Sequence, residues 1–217
     1  MKTDASAAPA RGVRDRLLDA LESLIADRGI AALSHRSIAR RADVHASLLH
    51  YHFGTVEQAV EEAVARRASR FVDAQLAALR ALRVRIHWTV EDVVTALWRP
   101  FADVGGKADG AWHNYLCLVA RIGDADHRVP ARHFHEADRE ALHALRGAIP
   151  EAPEDTLASG LRLTRMLFHC EVLARCREGA GDPTGVDRDR RVTAFAAAGI
   201  RALVPRAPVP GRMPATI

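Results

Sequence analysis

Lysine, cysteine and long apolar runs are all scarce in this chain of 217 residues. Of its 31 basic residues only Lys2 and Lys107 are lysine, so arginine carries almost all of the positive charge. The three cysteines, Cys117, Cys170 and Cys176, include no CxxC pair and are too few for a secreted disulfide scaffold. We therefore expect them to be reduced in a cytoplasmic protein. No apolar run reaches the roughly 18 to 20 residues of a membrane span, and the first residues lack an apolar signal core, so we expect no membrane partner and no export.

The familiar catalytic signatures are missing as well. The sequence contains no nucleotide-binding loop, no GxSxG, no HExxH and no glycine-rich phosphate cradle. His135 and Glu136 are adjacent, but on a helix their side chains diverge. We therefore expect no enzyme, no catalytic residue and no cofactor, with an all-helical enzyme or ligand-binding protein as the alternative. The formal net charge of +4 suits a nucleic-acid partner without requiring one.

Helical spacing runs through almost the whole sequence, and no stretch alternates with period two between hairpin turns. The apolar stripe over residues 13–25 defines a first helix. Thr55 is placed to cap a long helix, and Thr89 with Asp92 resembles a capping box whose helix bends or ends at Pro100. The further predicted helices cover residues 36–42, 46–53, 55–82, 89–98, 110–122, 130–147, 153–178 and 187–204.

This layout predicts an all-α fold with two domains. Residues 11–55 would form an N-terminal three-helix domain. Residues 56–204 would form a C-terminal helical bundle. Residues 1–10 and the proline-rich residues 205–217 have the composition of tails. Residues 178–187, which contain three glycines and a proline, are expected to form a loop.

The segment 33–53, LSHRSIARRADVHASLLHYHF, has the features of two short helices that cross steeply. Such a crossing needs a small residue at the closest approach, which Ala39 supplies. Asp43 lies where the turn needs a left-handed backbone, and aspartate tolerates that conformation better than most residues other than glycine. The second helix can then enter the major groove of DNA. The angle between the helices can be filled by Ile38, Val44 and Leu49.

A first helix ending at Gly29, followed by SIARRADV and LLHYHFGTVEQAV, resembles the N-terminal domain of the tetracycline-repressor (TetR) family. The resemblance covers about residues 11–60. It implies a dimeric, all-helical transcriptional regulator. Residues 11–55 would be its helix-turn-helix DNA-binding domain, whose recognition helix at about residues 46–52 reads operator half-sites. Residues 56–204 would be its ligand-binding and dimerisation domain, which binds a small molecule. The residues that it places on DNA are His35 and Arg36 on phosphate, Ala46 and Ser47 nearest the bases, and His50, Tyr51 and His52 on phosphate or sugar.

Three positions depart from the family pattern. Asp43 stands where the turn glycine is usual, His45 replaces the serine before the recognition helix, and Val56 replaces the lysine that commonly opens the fourth helix. The last change removes one expected phosphate contact per subunit, which predicts a shallower salt dependence of DNA binding than in a relative that has the lysine. Taken alone, Tyr51 and Phe53 can also be read as core aromatic residues.

A regulator of this kind needs an effector site, and pockets between bundle helices are the default location. We expect an apolar lining with one histidine that fixes the orientation of the ligand, although each candidate can also be an ordinary core residue. Arg121 and Arg165 are available to pair with a carboxylate group of the ligand. The candidate ligand-binding residues are Trp112, His113, Tyr115, Leu116, Val119, Phe134, His135, Met166, Leu167, His169 and Cys170.

The helix over residues 153–178 has two apolar faces, which indicates that it is covered on both sides. One cover is its own domain, and we expect the other to be a second copy of the chain. The alanine-rich last helix allows close approach, so a homodimer is expected through the last two helices. The faces are formed by Leu157, Leu161, Phe168 and Val172 on one side and by Leu163, Met166, Leu167, Cys170 and Leu173 on the other.

The expected mechanism is a population shift in which a ligand wedges the bundle apart and the helix over residues 55–82 tilts. The spacing of the recognition helices then no longer fits a palindromic operator, and a repressor is released. These residues equally allow the opposite response, in which the ligand is a corepressor that favours DNA binding.

A metal-responsive regulator of the same fold is the alternative. His133 and His135 are about 200° apart around a helix, and Cys170 and Cys176 do not share a stripe. The sequence therefore predicts no metal site. The residues considered for one were His133, His135, Glu136, His169, Cys170 and Cys176.

Overall fold

The computed structural model describes residues 12–105, 110–125, 128–178 and 185–205, and these residues form helices and no strand. The predicted all-α fold is therefore confirmed. The two predicted tails lie almost wholly outside the described residues. In the described part of the chain no helix has the length and hydropathy to cross a membrane.

Nine α-helices and one 3-10 turn follow one another along the described chain. A short 3-10 turn at Ile30–Ala32, which the sequence analysis did not predict, joins the first two helices. The helices are α1 Val13–Arg28, α2 His35–Arg41, α3 Ser47–Phe53, α4 Val56–Arg83, α5 Val90–Gly105, α6 Gly110–Ala125, α7 Arg128–Ala148, α8 Glu154–Glu178 and α9 Gly185–Leu203.

The helix starts follow from local hydrogen bonds that the sequence predicts. The Thr55 hydroxyl accepts from the backbone N–H of Gln58 at 3.2 Å, and the Gln58 side chain accepts from the N–H of Thr55 at 3.0 Å. Thr89 and Asp92 make the same reciprocal pair at 3.2 and 2.8 Å. Both are capping boxes, which supply partners for N–H groups that a helix leaves unpaired at its start.

Several helix boundaries differ from the sequence prediction, most of all the end of α5. Helix α5 continues through Pro100 to Gly105, so the proline does not end it. A proline inside a helix leaves carbonyls in the preceding turn without their usual donors, and here the side chain of Gln75 donates to the Leu97 carbonyl at 2.6 Å. Helix α9 begins at Gly185, two residues before its predicted start, and residues 179–184 of the predicted loop lie outside the described residues.

Helices α1, α4 and α6 meet at a junction between the N-terminal helices and the bundle. The Arg121 guanidinium of α6 donates to the carbonyl of Ala26 in α1 at 3.2 Å. The Tyr115 hydroxyl of α6 donates to the carbonyl of Val64 in α4 at 2.8 Å. Burial of this phenol raises its pKa. Helix α6 therefore contacts both the first helix and the long helix that follows the helix-turn-helix.

A buried carboxylate lies within this junction. Glu22 of α1 is only 1% exposed, and Arg66 and Arg67 of α4 each approach its carboxylate at 3.6 Å. Its Oε1 atom has no hydrogen-bond partner among the described residues. Loss of solvation outweighs the two arginines and raises the pKa of Glu22 to about 7.

The cysteines differ from the expectation that all three are reduced. Cys117 of α6 and Cys176 of α8 form a disulfide, and Cys170 is a free, exposed cysteine. The two bonded residues are 59 positions apart in sequence, so their proximity comes from the packing of α6 against α8. No spacing rule along one helix predicts such a pair.

Removing the ionisable group at the junction is expected to change the pH dependence of stability. A carboxyl group whose folded pKa lies above its unfolded value contributes stability below about pH 4.5, and this contribution is lost as the pH rises through about 7. Relative to Glu22→Gln, the wild type should therefore lose up to about 3 kcal/mol of unfolding free energy across that interval. Urea denaturation at a series of pH values measures the difference.

The exposed variant Asp27→Asn is the control, because it removes a carboxylate whose ion pair with Arg41 lies at the surface. Its stability should track that of the wild type between pH 5 and pH 8. Parallel profiles for the wild type and Glu22→Gln over this range would contradict the raised pKa.

Candidate nucleic-acid interface

The turn between α2 and α3 has the geometry that a steep helix crossing requires. Asp43 adopts a φ of 53°, so the expected left-handed aspartate is confirmed. The N–H of Val44 donates to the carbonyl of Ala39 at 3.0 Å, and both Ala39 and Leu49 are buried where the helices meet. The two short helices are thus held in a fixed relative orientation.

Helix α2 presents its first turn to solvent. Ser34 and Ser37 form a capping box, with backbone-to-hydroxyl distances of 3.0 and 2.9 Å. His35 is half-buried and Arg36 is exposed in the turn that follows. An arginine at the positive end of a helix is well placed for an anionic partner.

His45 takes over a capping role before α3. Its Nδ1 atom lies 2.7 Å from the Ser47 hydroxyl and accepts from the Ser47 backbone N–H at 3.3 Å. The histidine that replaces the family serine therefore still supplies a partner for a backbone donor at the start of α3.

The outer face of α3 carries the predicted contact residues. Tyr51 is 81% exposed, whereas Leu49 and Phe53 are buried against the other helices. The interpretation of Tyr51 as a core aromatic residue is therefore wrong, and the same interpretation of Phe53 is right. Of the other predicted contact residues, Ser47 and His50 are exposed, and Ala46 and His52 are half-buried.

Two of the predicted phosphate-contacting histidines also hold the turn after α3. His35 Nε2 and His50 Nδ1 both contact the Gly54 carbonyl, at 3.3 and 2.8 Å. Because the carbonyl can only accept, each ring nitrogen donates. Gly54 adopts a φ of 74°, which a side chain rarely tolerates. This shared acceptor was not predicted from the sequence, because only His50 is close to Gly54 along the chain and His35 lies 19 residues before it.

Positive charge dominates the segment from α2 to α3. Residues 35–53 contain three arginines against the single acidic residue Asp43. Arg41 is turned back toward α1, where it donates to Asp27 at 2.8 Å and to Ser23 at 2.7 Å. Arg36 and Arg40 are exposed. Arg40 was not among the predicted contact residues, and it adds a cation beside them.

The predicted effector pocket is only partly assembled. A cavity of about 20 Å³, room for about one water molecule, lies between α5, α6 and α8. Of the predicted residues, Leu116, Val119 and His169 line it. Its other lining residues are Phe101, Ala120, Arg165, Phe168 and Val172.

The aromatic candidates on α6 and α7 pack beside the cavity. Tyr115 is buried and stacks on Phe71 with ring centroids 5.7 Å apart. Trp112 is held between the guanidinium groups of Arg67 and Arg70, at 4.9 and 4.7 Å. These contacts join α6 to α4. Phe134 of α7 packs on Phe101, and Leu167 packs against the core.

Four predicted pocket residues lie away from the cavity. Met166 and Cys170 are on the exposed face of α8, and His135 is exposed on α7. Met166 and Cys170 are exposed because α8 uses its other stripe, which includes Leu161 and Phe168, to contact the bundle. His113 faces Cys117 at 3.7 Å instead of the cavity. The structure therefore does not bring all of the predicted ligand residues together.

A model of the family described as "Bacterial regulatory proteins, tetR family" matches residues 17–63, which span α1 to the start of α4. This N-terminal segment belongs to the tetR family. It carries the capping box of α2, the left-handed Asp43 and the exposed face of α3. A search of curated protein sequences found no match.

Solved structures of tetR-family and related proteins share the fold of the chain. The multidrug binding protein EbrR complexed with malachite green has a TM-score of 0.55 at 22% identity, over 91% of this chain and 100% of that one. AmtR from Mycobacterium smegmatis has a TM-score of 0.56 at 18% identity, over 89% and 88%. A TetR transcriptional regulator from Legionella pneumophila has a TM-score of 0.55 at 15% identity, over 88% and 100%. At these identities the similarity establishes the fold.

Restoring the lysine that tetR-family members commonly carry at the start of α4 is expected to steepen the salt dependence of DNA binding. Val56 is half-buried at the first position of α4. Val56→Lys adds one cation per subunit, so for two subunits on one duplex the slope of log affinity against log salt should become more negative by about 2. Fluorescence anisotropy on a bound duplex at several salt concentrations measures the slope.

Val56→Met is the matched control, since it lengthens the side chain without adding charge. Its slope should equal that of the wild type. Equal slopes for the Lys and Met variants would show that this position does not face phosphate.

Proposed function

We propose that the protein is a dimeric, sequence-specific DNA-binding transcriptional regulator. In this proposal, residues 11–55 bind a palindromic operator and residues 56–204 provide the dimer contact and an effector site. The observation that carries the proposal is the exposed face of α3 next to a buried helix-turn-helix core. A tyrosine exposed over four-fifths of its surface, beside polar histidines and a serine, has no role in packing.

The proposed DNA contacts follow the two exposed helix surfaces. Helix α3 enters the major groove, where the small side chains of Ala46 and Ser47 allow close approach to base edges. Tyr51 reaches phosphate or sugar, together with His50 and His52. His35 and Arg36 contact phosphate from the first turn of α2. The bonds from His35 and His50 to Gly54 keep both imidazoles in place before DNA binds.

The proposed partner of the bundle is a second copy of the chain. On α8 the exposed stripe includes Leu163 and Met166, which is 61% exposed. On α9 Phe195 is 71% exposed and lies in a stripe of exposed small residues. The two helices pack against each other with Gly160 close to Ile200, so their exposed stripes belong to one surface region. The small residues of the α9 stripe are Ala194, Ala198, Gly199 and Ala202.

The proposed effector is a small apolar molecule that enters between α5, α6 and α8. The existing cavity is far smaller than a ligand pocket of about 300 Å³ or more, so binding has to separate these helices. Arg165 at its wall is paired with Asp138 at 2.6 Å, and Arg121 donates to α1. With both cations engaged, the site favours an uncharged ligand over a carboxylate. The fold shared with EbrR, a multidrug binding protein, supports a ligand-binding bundle.

Release from DNA is proposed to follow from this separation. Because α6 contacts both α1 and α4, a ligand that displaces α6 moves the two helices that hold the recognition helix. A ligand that binds the DNA-incompetent state about a hundredfold better supplies about 2.7 kcal/mol, which is within the usual range of allosteric coupling. The protein is then a repressor that its ligand releases from the operator.

Replacing the exposed tyrosine is expected to weaken DNA binding without unfolding the domain. Selection from random duplexes at near-physiological salt should enrich an inverted repeat with the wild type and none with Tyr51→Ala. On the enriched duplex, affinity should fall about tenfold or more, because each subunit loses a hydrogen bond to a charged partner. The melting temperature should stay within about two degrees, since the side chain is exposed.

The Tyr51→Phe variant distinguishes the contribution of the hydroxyl to DNA affinity from that of the ring. We expect it to bind like the alanine variant if the hydroxyl donates to phosphate. Unchanged affinity of Tyr51→Ala would remove this residue from the interface. If a folded, dimeric wild type enriches no sequence, sequence-specific regulation is wrong.

A charge placed on the proposed dimer surface is expected to separate the subunits. Phe195→Glu puts a carboxylate on the exposed stripe of α9, and its burial against a second copy would be unfavourable. Analytical ultracentrifugation at micromolar concentration should give a dimer for the wild type and a monomer for the variant. Ile86→Glu, at a still more exposed residue outside α8 and α9, should remain dimeric. A monomeric wild type would end the proposal.

A further inference from the structure

The disulfide between Cys117 and Cys176 has a third potential metal ligand beside it. His113 lies one helical turn before Cys117 on α6, and its Nε2 atom is 3.7 Å from the Cys117 sulfur. The three donor atoms, one imidazole nitrogen and two sulfurs, all lie within 4.8 Å of one another. Cys117 is fully buried, while His113 and Cys176 are half-buried.

Two helices position these three side chains. His113 and Cys117 are spaced i and i+4, so they project from the same face of α6. Cys176 approaches from the last turns of α8, which packs against α6. Because α6 and α8 pack against each other, the fold already holds the three side chains close together. The two helices do not have to move toward each other to assemble the ligand set.

The donor atoms suit a thiophilic cation with a preference for sulfur and nitrogen. Zinc binds cysteine sulfur at about 2.3 Å and histidine nitrogen at about 2.0 to 2.1 Å. Two such ligand atoms around a tetrahedral ion are about 3.5 to 3.8 Å apart. His113 Nε2 already lies 3.7 Å from the Cys117 sulfur, and cleavage of the disulfide allows the two sulfurs to separate to this distance. Two cysteines and one histidine are also a ligand set that zinc uses with a fourth, open position.

We propose that reduction of the Cys117–Cys176 disulfide creates a Zn²⁺ site formed by His113, Cys117 and Cys176. A thiol or phosphine reductant supplies two electrons, and two protons from solvent complete the two thiols. Zinc then displaces one proton from each thiol and binds the resulting thiolates together with His113 Nε2. The disulfide form cannot bind zinc in this way, because each sulfur is already bonded to the other.

Charge balance favours a divalent ion at this position. Two thiolates and a neutral imidazole carry a total charge that Zn²⁺ cancels, and a buried site tolerates a neutral group far better than a charged one. A monovalent ion would leave a net negative charge next to the buried Cys117. The half-buried side, where His113 and Cys176 reach solvent, leaves room for water as the fourth ligand.

The sequence predicts no metal site because neither His133 with His135 nor Cys170 with Cys176 shares a face of one helix. Cys170 lies six residues before Cys176 on the same helix and is exposed. The structure instead pairs Cys176 with Cys117 of a different helix, and it adds His113 from the turn before. The site that we propose shares only Cys176 with the residues considered earlier.

The test is a zinc titration of the full-length protein in two redox states. The protein is reduced with a phosphine, the reductant is removed without air, and thiols are counted before zinc is added in competition with a chromophoric chelator. We expect one zinc per chain for the reduced protein and none for the oxidised protein. Replacing zinc by Co²⁺ should give the near-ultraviolet absorption of thiolate-to-cobalt charge transfer. This experiment involves no DNA, so its outcome is independent of the proposed function.

Matched variants assign the ligands. Cys176→Ser, at a half-buried position, and His113→Gln should weaken zinc binding about tenfold or more. Cys117→Ser tests the buried sulfur, and circular dichroism shows whether each variant is folded. Cys170→Ser, which changes the exposed cysteine, should bind zinc like the wild type. The proposal is overturned if the reduced wild type binds no zinc, or if folded Cys176→Ser binds it as tightly as the wild type.

Discussion

The position of the helix-turn-helix on the bundle depends on a carboxylate buried where three helices meet. Glu22 of α1 lies between the arginines of α4, and no solvent reaches it to compensate for the lost hydration. Arg66 also bonds Asp19 at 2.7 Å, and Arg67 lies over Trp112 of α6. One charge cluster therefore connects α1, α4 and α6. Removal of Arg66 or Arg67 would leave the buried Glu22 carboxylate with less compensation, which costs more than an exposed pair contributes.

The features that could be predicted from sequence are those set by neighbours within a few residues. The caps at Thr55 and Thr89 depend on side chains three positions away, and the left-handed Asp43 depends on the turn that contains it. The apolar stripe of α1 identifies its buried face directly. The N-terminal segment could be recognised from the sequence because α1, α2 and α3 follow one another with only short connections between them.

The features that could not be predicted depend on contacts between distant parts of the chain. Cys117 and Cys176 are separated by 59 positions, so their bond follows from how α6 packs on α8. The same packing decides which stripe of α8 faces the core, and sequence alone does not distinguish its two apolar faces. Pro100 was expected to bend or end α5, yet the helix continues past it where Gln75, 22 residues before Leu97, supplies a donor. Each of these outcomes requires the tertiary arrangement.

The bond from Tyr115 to the Val64 carbonyl divides α4 into two unequal arms. With a rise of about 1.5 Å per residue, Val64 lies about 12 Å from the start of α4 and about 28 Å from its end at Arg83. If α4 rotates as a rigid rod about this point, a displacement at the far end is reversed at the near end and reduced to less than half. Movements of the bundle would thus arrive at the recognition helix as smaller shifts in the opposite direction. The placement of one phenol sets this ratio.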